Sequence, residues 1–334
     1  MTQQTPIGSG FGASTTAGEI IRGCDLSGKI AIVTGGYSGI GVETVRALAS
    51  AGANVIVPAR DHDRAAAALE GIDGVEIEEM DLLDPASIDA FAKRFLATKR
   101  LLHILVNSAG IMAAPLVRDA RGYESHFATN HLGHFQLTAR LWPALSQANG
   151  ARVVSVSSWG HRYSNVDFDD PNFEHREYEP LSAYGQSKTA NVLFAVGLDK
   201  RGQEEGVRAY SLHPGSIVTN LRRYVSDEDL QAIGVLDEKG KPIIDPAKNL
   251  KTVEQGAATS VWCATSPQLD GMGGLYCQDC DIAPLVSDEV KRSNNATRQV
   301  GSIPLGVMPY AVDPEAADRL WSLSEQLILV PYII

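Results

Sequence analysis

The sequence predicts an α/β protein: a single doubly wound, mostly parallel sheet of about seven strands with helices on both faces. Two observations carry this. Short β-branched apolar runs alternate with amphipathic helical patterns along most of the chain. The first run, Ile30 to Val33, feeds a glycine-rich turn that opens straight into the helical pattern of Val42 to Ala51. Further strands are expected at Asn54 to Val57, Val75 to Met80, Leu102 to Val106, Arg152 to Val156, Val207 to Leu212 and Gly274 to Tyr276, with helices between them that include Pro85 to Lys99, Gly122 to Leu145 and Ser182 to Lys200. No repeat of solenoid type is present, and no linker divides the chain. Residues 26–334 therefore read as one catalytic-sized domain. Ahead of it, Met1 to about Gly18 is rich in Gly, Ser, Thr and Gln, the composition of a mobile tail, followed by a short helix through Glu19, Ile20 and Ile21.

Composition narrows the function. At 334 residues, 44% hydrophobic and 21% charged, the chain can bury a substantial core. A net charge of −11 argues against nucleic acid as a partner and against adhesion to an anionic membrane. There is no basic segment followed by an apolar core at the N-terminus, and no apolar run approaches the roughly 18 to 20 residues needed to span a bilayer. A cytoplasmic protein without a membrane partner is expected. The four cysteines, Cys24, Cys263, Cys277 and Cys280, form no disulfide-scaffold pattern. Cys277-Gln-Asp-Cys280 lacks the second pair a zinc site needs, and for His131 and His134, though at helical spacing, the helix carrying Asn130 is a simpler home than a metal site. No metal is expected.

The glycine turn is the first chemical signal. In Thr34-Gly-Gly-Tyr-Ser-Gly-Ile-Gly41, Gly35, Gly39 and Gly41 let the backbone turn sharply and approach a pyrophosphate, which then lies at the positive end of the following helix. Tyr37, Ser38 and Ile40 complete that turn. The spacing Gly-x-x-x-Gly-x-Gly departs from the general dinucleotide fingerprint Gly-x-Gly-x-x-Gly.

The second signal is Tyr184-Gly-Gln-Ser-Lys188, which places a phenol and an ammonium one helical turn apart on the same face. A free phenol titrates near pH 10, so acid/base work at neutral pH calls for a downward shift of about 3 units, roughly 4 kcal/mol. A neighbouring cation is one source of it.

With these two motifs and four more segments, the chain resembles the short-chain dehydrogenase/reductase family. Asn107-Ser-Ala-Gly110 is similar to the family's Asn-Asn-Ala-Gly. Asn130 falls in the helical stretch where the family places its fourth catalytic residue. Arg152-Val-Val-Ser-Val-Ser-Ser158 resembles the strand that ends in the catalytic serine, and His213-Pro-Gly-Ser-Ile-Val-Thr219 resembles the segment that holds the nicotinamide carboxamide. The look is nearest to the retinol dehydrogenase-like and WW-domain oxidoreductase-like branch, carried by Asn130-His-Leu-Gly-His-Phe135, by Tyr184 to Phe194 and by Thr252 to Ser260. The matches run from about Leu26 to Cys280.

The resemblance implies a Rossmann-type fold and a set of roles. Tyr184 exchanges the proton with the substrate oxygen. Lys188 lowers the phenol's pKa and holds the nicotinamide ribose. Ser158 hydrogen-bonds the same oxygen, with Ser157 as the neighbouring alternative, and Asn130 holds a water that relays protons through Lys188. Asn107, Ala109 and Gly110, together with Pro214, Gly215, Ile217 and Thr219, flank the cofactor. Asp81 and Leu82 contact the adenine. At the end of the second strand, Ala59 stands where NAD-specific relatives place an acid, and Arg60 follows, which points to NADP over NAD, although Asp61 competes and Arg60 also suits an exposed helix start. A homodimer is expected from the family.

Two segments exceed the minimal fold: Trp159 to Leu181, and Leu221 to Lys251, which contains a charged glycine turn read as a small hairpin and as a lid over the substrate. A C-terminal extension follows from about residue 283, ending in the helical pattern Pro314 to Leu329 and then Val330-Pro-Tyr-Ile-Ile334, an apolar end that suits packing on its own chain or on a partner. The expected function is oxidoreduction between a bulky lipophilic alcohol and its ketone or aldehyde. A sugar-nucleotide epimerase or dehydratase on the same fold, and a non-catalytic dinucleotide sensor, are the alternatives.

Overall fold

Alternation along each strand divides the apolar residues of the chain between two layers. In β1 (Ile30–Thr34), Ile32 packs on one side of the sheet and Ala31 and Val33 on the other; in β4 (Ile104–Asn107), Leu105 faces one way and Ile104 and Val106 the other. This is the period of two that a strand imposes. The computed structural model describes residues 3–286 and 306–328. In it, β2 (Asn54–Ala59), β3 (Val75–Glu79), β5 (Arg152–Val156), β6 (Arg208–His213) and β7 (Leu275–Gln278) join β1 and β4 in one parallel sheet, ordered β3-β2-β1-β4-β5-β6-β7. The central strands are buried on both faces, which explains their nearly unbroken apolar runs.

The seven expected strands are all present, and an eighth, β8 (Asp281–Ile282), pairs antiparallel with β7 at the edge. Its turn is made by Asp279 and Cys280 in left-handed conformations, φ 53° and 59°. A two-residue strand reached through a turn without glycine leaves no sequence signal.

One face of the sheet is covered by α1 (Ala17–Ile20), α2 (Ile40–Ser50), α3 (His62–Leu69) and α8 (Val253–Thr265), the other by α4 (Pro85–Ala97), α5 (Gly133–Ser146), α6 (Pro180–Gly202) and α9 (Pro314–Ile328). The helix α6 is enclosed along most of its length, from Ala183 to Asp199, because the sheet lies beneath it and α9 above. Glu179 caps it by accepting from the N–H groups of Leu181 and Ser182, and Pro180 occupies the first turn. The apolar face of α9 packs on its own chain: Trp321 stacks on Phe194 and meets Phe135 edge-on, and Ser324 hydrogen-bonds His131 Nε2 at 2.7 Å. Residues 329–334, the end of the predicted helix and the apolar terminus, lie outside the described residues.

The N-terminal segment lies along the β7–β8 edge of the sheet. Gln4 Nε2 donates to the carbonyls of Tyr276 and Ala283, each at 2.6 Å, and its Oε1 accepts from Tyr276 N–H. The Asp281 carboxylate accepts from the N–H groups of Ile7, Gly8 and Ser9. A polar, glycine-rich composition identifies a segment that cannot form its own core. It says nothing of a sheet edge that offers partners for its backbone.

The segment read as a lid holds a short helix, α7 (Asp227–Ala232), and a small apolar cluster of Leu230, Val235, Leu236 and Leu250. The expected hairpin is a single antiparallel bridge, Leu236 to Pro242, closed by Asp237 N–H to Lys241 O. Among the described residues no helix is long and apolar enough to cross a membrane.

Candidate active site

β1 lies between β2 and β4, so the chain departs from this pair in opposite directions and leaves a crevice beyond their C-terminal ends, where ligands of such sheets bind. The glycines of the turn are required by contact. A Cβ on Gly41 would lie 2.2 Å from Gly35 O, one on Gly35 would lie 2.9 Å from Ala109 Cα, and one on Gly39 would lie 3.1 Å from Thr219 Cγ2. Gly35 and Gly39 also have φ of +66° and +55°. The glycine turn, the Asn107–Gly110 loop and the Pro214–Thr219 segment thus converge as the sequence proposes. Gly39 gives no side-chain cap to α2, which leaves N–H groups at a helix N-terminus for an anion. Ile217 fills the space beside Gly256 of α8. Asn107 Oδ1 is buried and has no hydrogen-bond partner among the described residues. These features fit a dinucleotide.

Thr34 ties the crevice together. Its hydroxyl oxygen accepts from the N–H groups of Ser108 at 2.9 Å and Ala109 at 3.0 Å and bonds His134 Nε2 at 2.8 Å. His134 Nδ1 in turn meets the Asn130 carbonyl at 3.0 Å. Because Nδ1 faces an acceptor, it carries the proton, and Nε2 accepts from the threonine. Burial holds His134 neutral, with a pKa of about 4. Thr34→Val preserves shape and strands two buried N–H groups; it is expected to cost about 2 kcal/mol in urea unfolding. His131 and His134 are buried structural residues, and among the described residues no cluster suits a metal.

The structure brings Ser158, Tyr184 and Lys188 together. Ser158 follows β5, caps a short helical turn by accepting from Gly160 N–H at 2.9 Å, and hydrogen-bonds the Tyr184 phenol. Gly160 is small because the phenol ring lies against it: a Cβ there would sit 2.7 Å from Tyr184 Cε1. Ser157, the alternative, instead donates to Lys188 O at 2.7 Å and is buried away from that role. Lys188 Nζ donates to Val156 O at 3.0 Å and lies 5.7 Å from the centre of the Tyr184 ring.

The protonation states correct a simple expectation. Burial raises the Tyr184 phenol to about 12 against the lowering effect of the Ser158 hydrogen bond, and burial lowers Lys188 to about 7. Within the protein itself Lys188 does not draw the phenol down. Desolvation dominates both groups, and the ammonium is directed to the Val156 carbonyl. At neutral pH Tyr184 therefore holds its proton, ready to donate it.

Asn130 is held by its own hydrogen bonds. It lies in a π-helical turn, Phe127–Leu132, that runs directly into α5, a distortion frequent at functional sites. Its Oδ1 accepts from Ile111 N–H at 2.9 Å, and its Nδ2 donates to Ile111 O at 3.0 Å and to Ser187 Oγ at 2.9 Å. Both amide hydrogens are used, and the side chain braces the loop after β4 against α6.

At the adenine end, Arg60 is exposed and its Nη1 lies 3.9 Å from Asp81 Oδ2, while Asp61 caps α3 by accepting from Arg64 N–H. Asp61 is thereby occupied by the helix cap, while the mostly exposed Arg60 guanidinium follows β2 with Asp81 as its neighbour. Leu82 O presses on Gly133 and leaves no room for a side chain there. Tyr37 and Ile40 pack on the α2 and α8 face.

Sequence reasoning missed a buried group beside Tyr184. Glu124, His126 and Tyr178 form a hydrogen-bonded cluster whose imidazole meets the Tyr184 ring edge-on, with centres 6.2 Å apart. Glu124 ahead of a helix is a capping signal; Tyr178, far off in sequence, gives none. At the base of the 221–251 segment, His213 accepts from Trp159 N–H at 3.0 Å and bonds Asn249 at 2.8 Å, and Lys251 forms a largely buried pair with Asp279.

The chain belongs to the short-chain dehydrogenase family, whose pattern matches residues 29–230, and it is an oxidoreductase of the retinol dehydrogenase-like branch. It is 47% identical over 305 residues to a probable oxidoreductase of Streptomyces lividans, covering 89% of this chain and 96% of that one. It is 38% identical over 319 residues to retinol dehydrogenase 12 of Homo sapiens, covering 93% and 90%. Among solved structures, one from Mycobacterium paratuberculosis superposes with a TM-score of 0.71 at 31% identity over 96% of this chain and 100% of that one. The Pseudomonas aeruginosa RhlG/NADP complex does so at 0.59 and 26%, over 76% and 95%.

Proposed function

We propose that this oxidoreductase uses NADP in preference to NAD to interconvert a bulky, lipophilic alcohol and its ketone or aldehyde. The observation that carries the reading is the convergence of Ser158, Tyr184 and Lys188 beside the glycine turn. The bound nicotinamide supplies or accepts the hydride. Ser158 and the Tyr184 hydroxyl together form a two-donor cradle for a carbonyl oxygen, and Tyr184, protonated at neutral pH, gives that oxygen its proton. Lys188, near its own pKa, takes the part of a charge carrier beneath the phenol. Gly160 and the His126 ring hold the phenol between them. Gly35, Gly39, Gly41, Asn107, Ala109, Gly110 and the Pro214–Thr219 segment would hold the dinucleotide.

The lipophilic character of the substrate is supported by exposed Leu116, Val117, Tyr163, Leu181, Tyr224 and Ile244, all on segments that leave the C-terminal edge of the sheet or lead into α6. Reduction of a ketone with NADPH deuterated at the nicotinamide carbon tests the reaction class. Deuterium at the carbinol carbon of the product is expected; a product without it contradicts hydride transfer.

Arg60 supplies the cofactor preference. Arg60→Ala is expected to weaken NADPH binding about tenfold or more, with little effect on NADH, since a charge-assisted contact to phosphate contributes roughly 1.5 to 3 kcal/mol. Equal effects in fluorescence titrations would mean that Arg60 does not read the phosphate. The cytoplasmic homodimer is part of the same proposal, and an apparent mass near the chain's own 35.8 kDa would contradict it.

A further inference from the structure

The loop after β4 carries a constraint that the reaction does not require for proton transfer. Ile111 and Ala114 each have both backbone polar groups bonded by side chains. Asn130 takes the N–H and C=O of Ile111. At the other end, Ala114 N–H donates to His126 Nε2 at 3.2 Å, and Tyr178 donates to Ala114 O at 2.8 Å. Between these two clamps lie only Met112 and Ala113, and Ala113 is held at φ 52°, a conformation unfavourable for a residue with a Cβ.

The second clamp is itself determined by buried polar chemistry. Since Ala114 N–H donates to Nε2, the hydrogen of the ring sits on Nδ1, which faces Glu124 Oε1 at 2.7 Å. Glu124 is fully buried and also accepts from the N–H groups of His126 and Phe127. Burial acts to raise its pKa, but the His126 ring and these N–H groups outweigh burial and hold the carboxyl below its usual range. Burial and the Glu124 charge push the Tyr178 hydroxyl upward, so it remains a donor.

Both clamps reach the catalytic helix. Asn130 bonds Ser187, whose hydroxyl donates to Tyr184 O at 2.7 Å, and His126 meets the Tyr184 ring. Just ahead of the first clamp is Gly110, where an added Cβ would be 3.6 Å from Lys188 Nζ. The loop is thus fixed at both ends relative to the phenol and the ammonium.

We propose that Glu124, His126 and Tyr178 are positioning residues that hold Met112 and Ala113 as a fixed wall of the substrate pocket beside Tyr184, and that this wall selects ketones by the size of the apolar arm next to the carbonyl. The half-buried thioether of Met112 gives an apolar, adaptable surface for that arm. The inference rests on the carbonyl-reductase reading above.

The test compares Tyr178→Phe, His126→Gln, His126→Leu and Met112→Trp with the unaltered protein on methyl ketones of increasing chain length. It measures kcat and KM, together with ketone binding to the protein–NADPH complex by NADPH fluorescence. Met112→Trp is expected to lower kcat/KM for the longest ketone about tenfold or more relative to the shortest, the scale of a one- or two-methylene steric change. Tyr178→Phe is expected to reduce the discrimination between long and short ketones at least about threefold by raising KM, with NADPH affinity unchanged, the consequence of releasing one end of a held segment. His126→Gln, which keeps an acceptor for Ala114 and a donor for Glu124, should behave like the unaltered protein where His126→Leu loses discrimination. If His126→Leu does not fold, Tyr178→Phe and Met112→Trp still decide. Unchanged ratios in both would overturn the positioning role while leaving the reductase reading intact. Ketone binding without turnover would overturn the reductase reading, and the binding ratios would then judge the wall.

Discussion

Tyr184→Phe is expected to lower turnover at least about a hundredfold, the usual scale for removing a general acid/base, while NADPH binds as before. The ring that packs between Gly160 and His126 is retained. Ser158 keeps its bond from Gly160 N–H when the tyrosine hydroxyl is removed, so the variant should unfold within about 1 kcal/mol of the unaltered protein. Near-normal turnover in a folded, cofactor-binding variant would remove Tyr184 from the mechanism. The elevated phenol adds a directional consequence. With Tyr184 protonated up to about 12 and Lys188 losing its charge as pH rises through about 7, reduction should be favoured at neutral and mildly acidic pH.

Stability is expected to fall by several kcal/mol between pH 7.5 and pH 5. Burial holds His131 at about 3, His134 and His161 at about 4, and His213 well below its ordinary value. In the unfolded chain these rings titrate near 6.5, so between about 6.5 and 4 the unfolded state binds more protons than the folded one, and acid favours unfolding. Each such ring costs on the order of 2 kcal/mol at pH 5. Lys188 works in the same sense at higher pH, where its depressed value makes stability rise between about 7 and the ordinary 10.5. Urea unfolding midpoints measured at pH 5, 6 and 7.5 check this; equal midpoints would show that these histidines accept protons without unfolding the chain.

The central site was legible because its chemistry is local. Tyr184 and Lys188 share a helix face by spacing alone, and Gly35, Gly39 and Gly41 mark a turn that a Cβ would obstruct. The central strands were legible because burial on both faces leaves apolar runs, and the half-exposed β3 because Val75 and Ile77 alternate with glutamates. What escaped depends on partners far along the chain. The anchoring of Gln4 and Ile7 to Ser9 depends on Tyr276 and Asp281, and Asn130's bracing role depends on where Ile111 and Ser187 meet it. The charge states escaped as well. A tyrosine beside a lysine reads as an activated phenol, yet burial of both groups reverses the sign within the protein. The Glu124–His126–Tyr178 cluster combines these difficulties, since it is assembled across the chain and its role depends on which imidazole nitrogen holds the proton.

The central claim is best tested by following NADPH and NADH oxidation by the purified protein against ketones and aldehydes graded by size, with Tyr184→Phe measured alongside. Turnover that prefers NADPH and larger apolar carbonyls, and that Tyr184→Phe abolishes, is the predicted result. Tight cofactor binding with no turnover across that panel, and none with the matching alcohols, would contradict it.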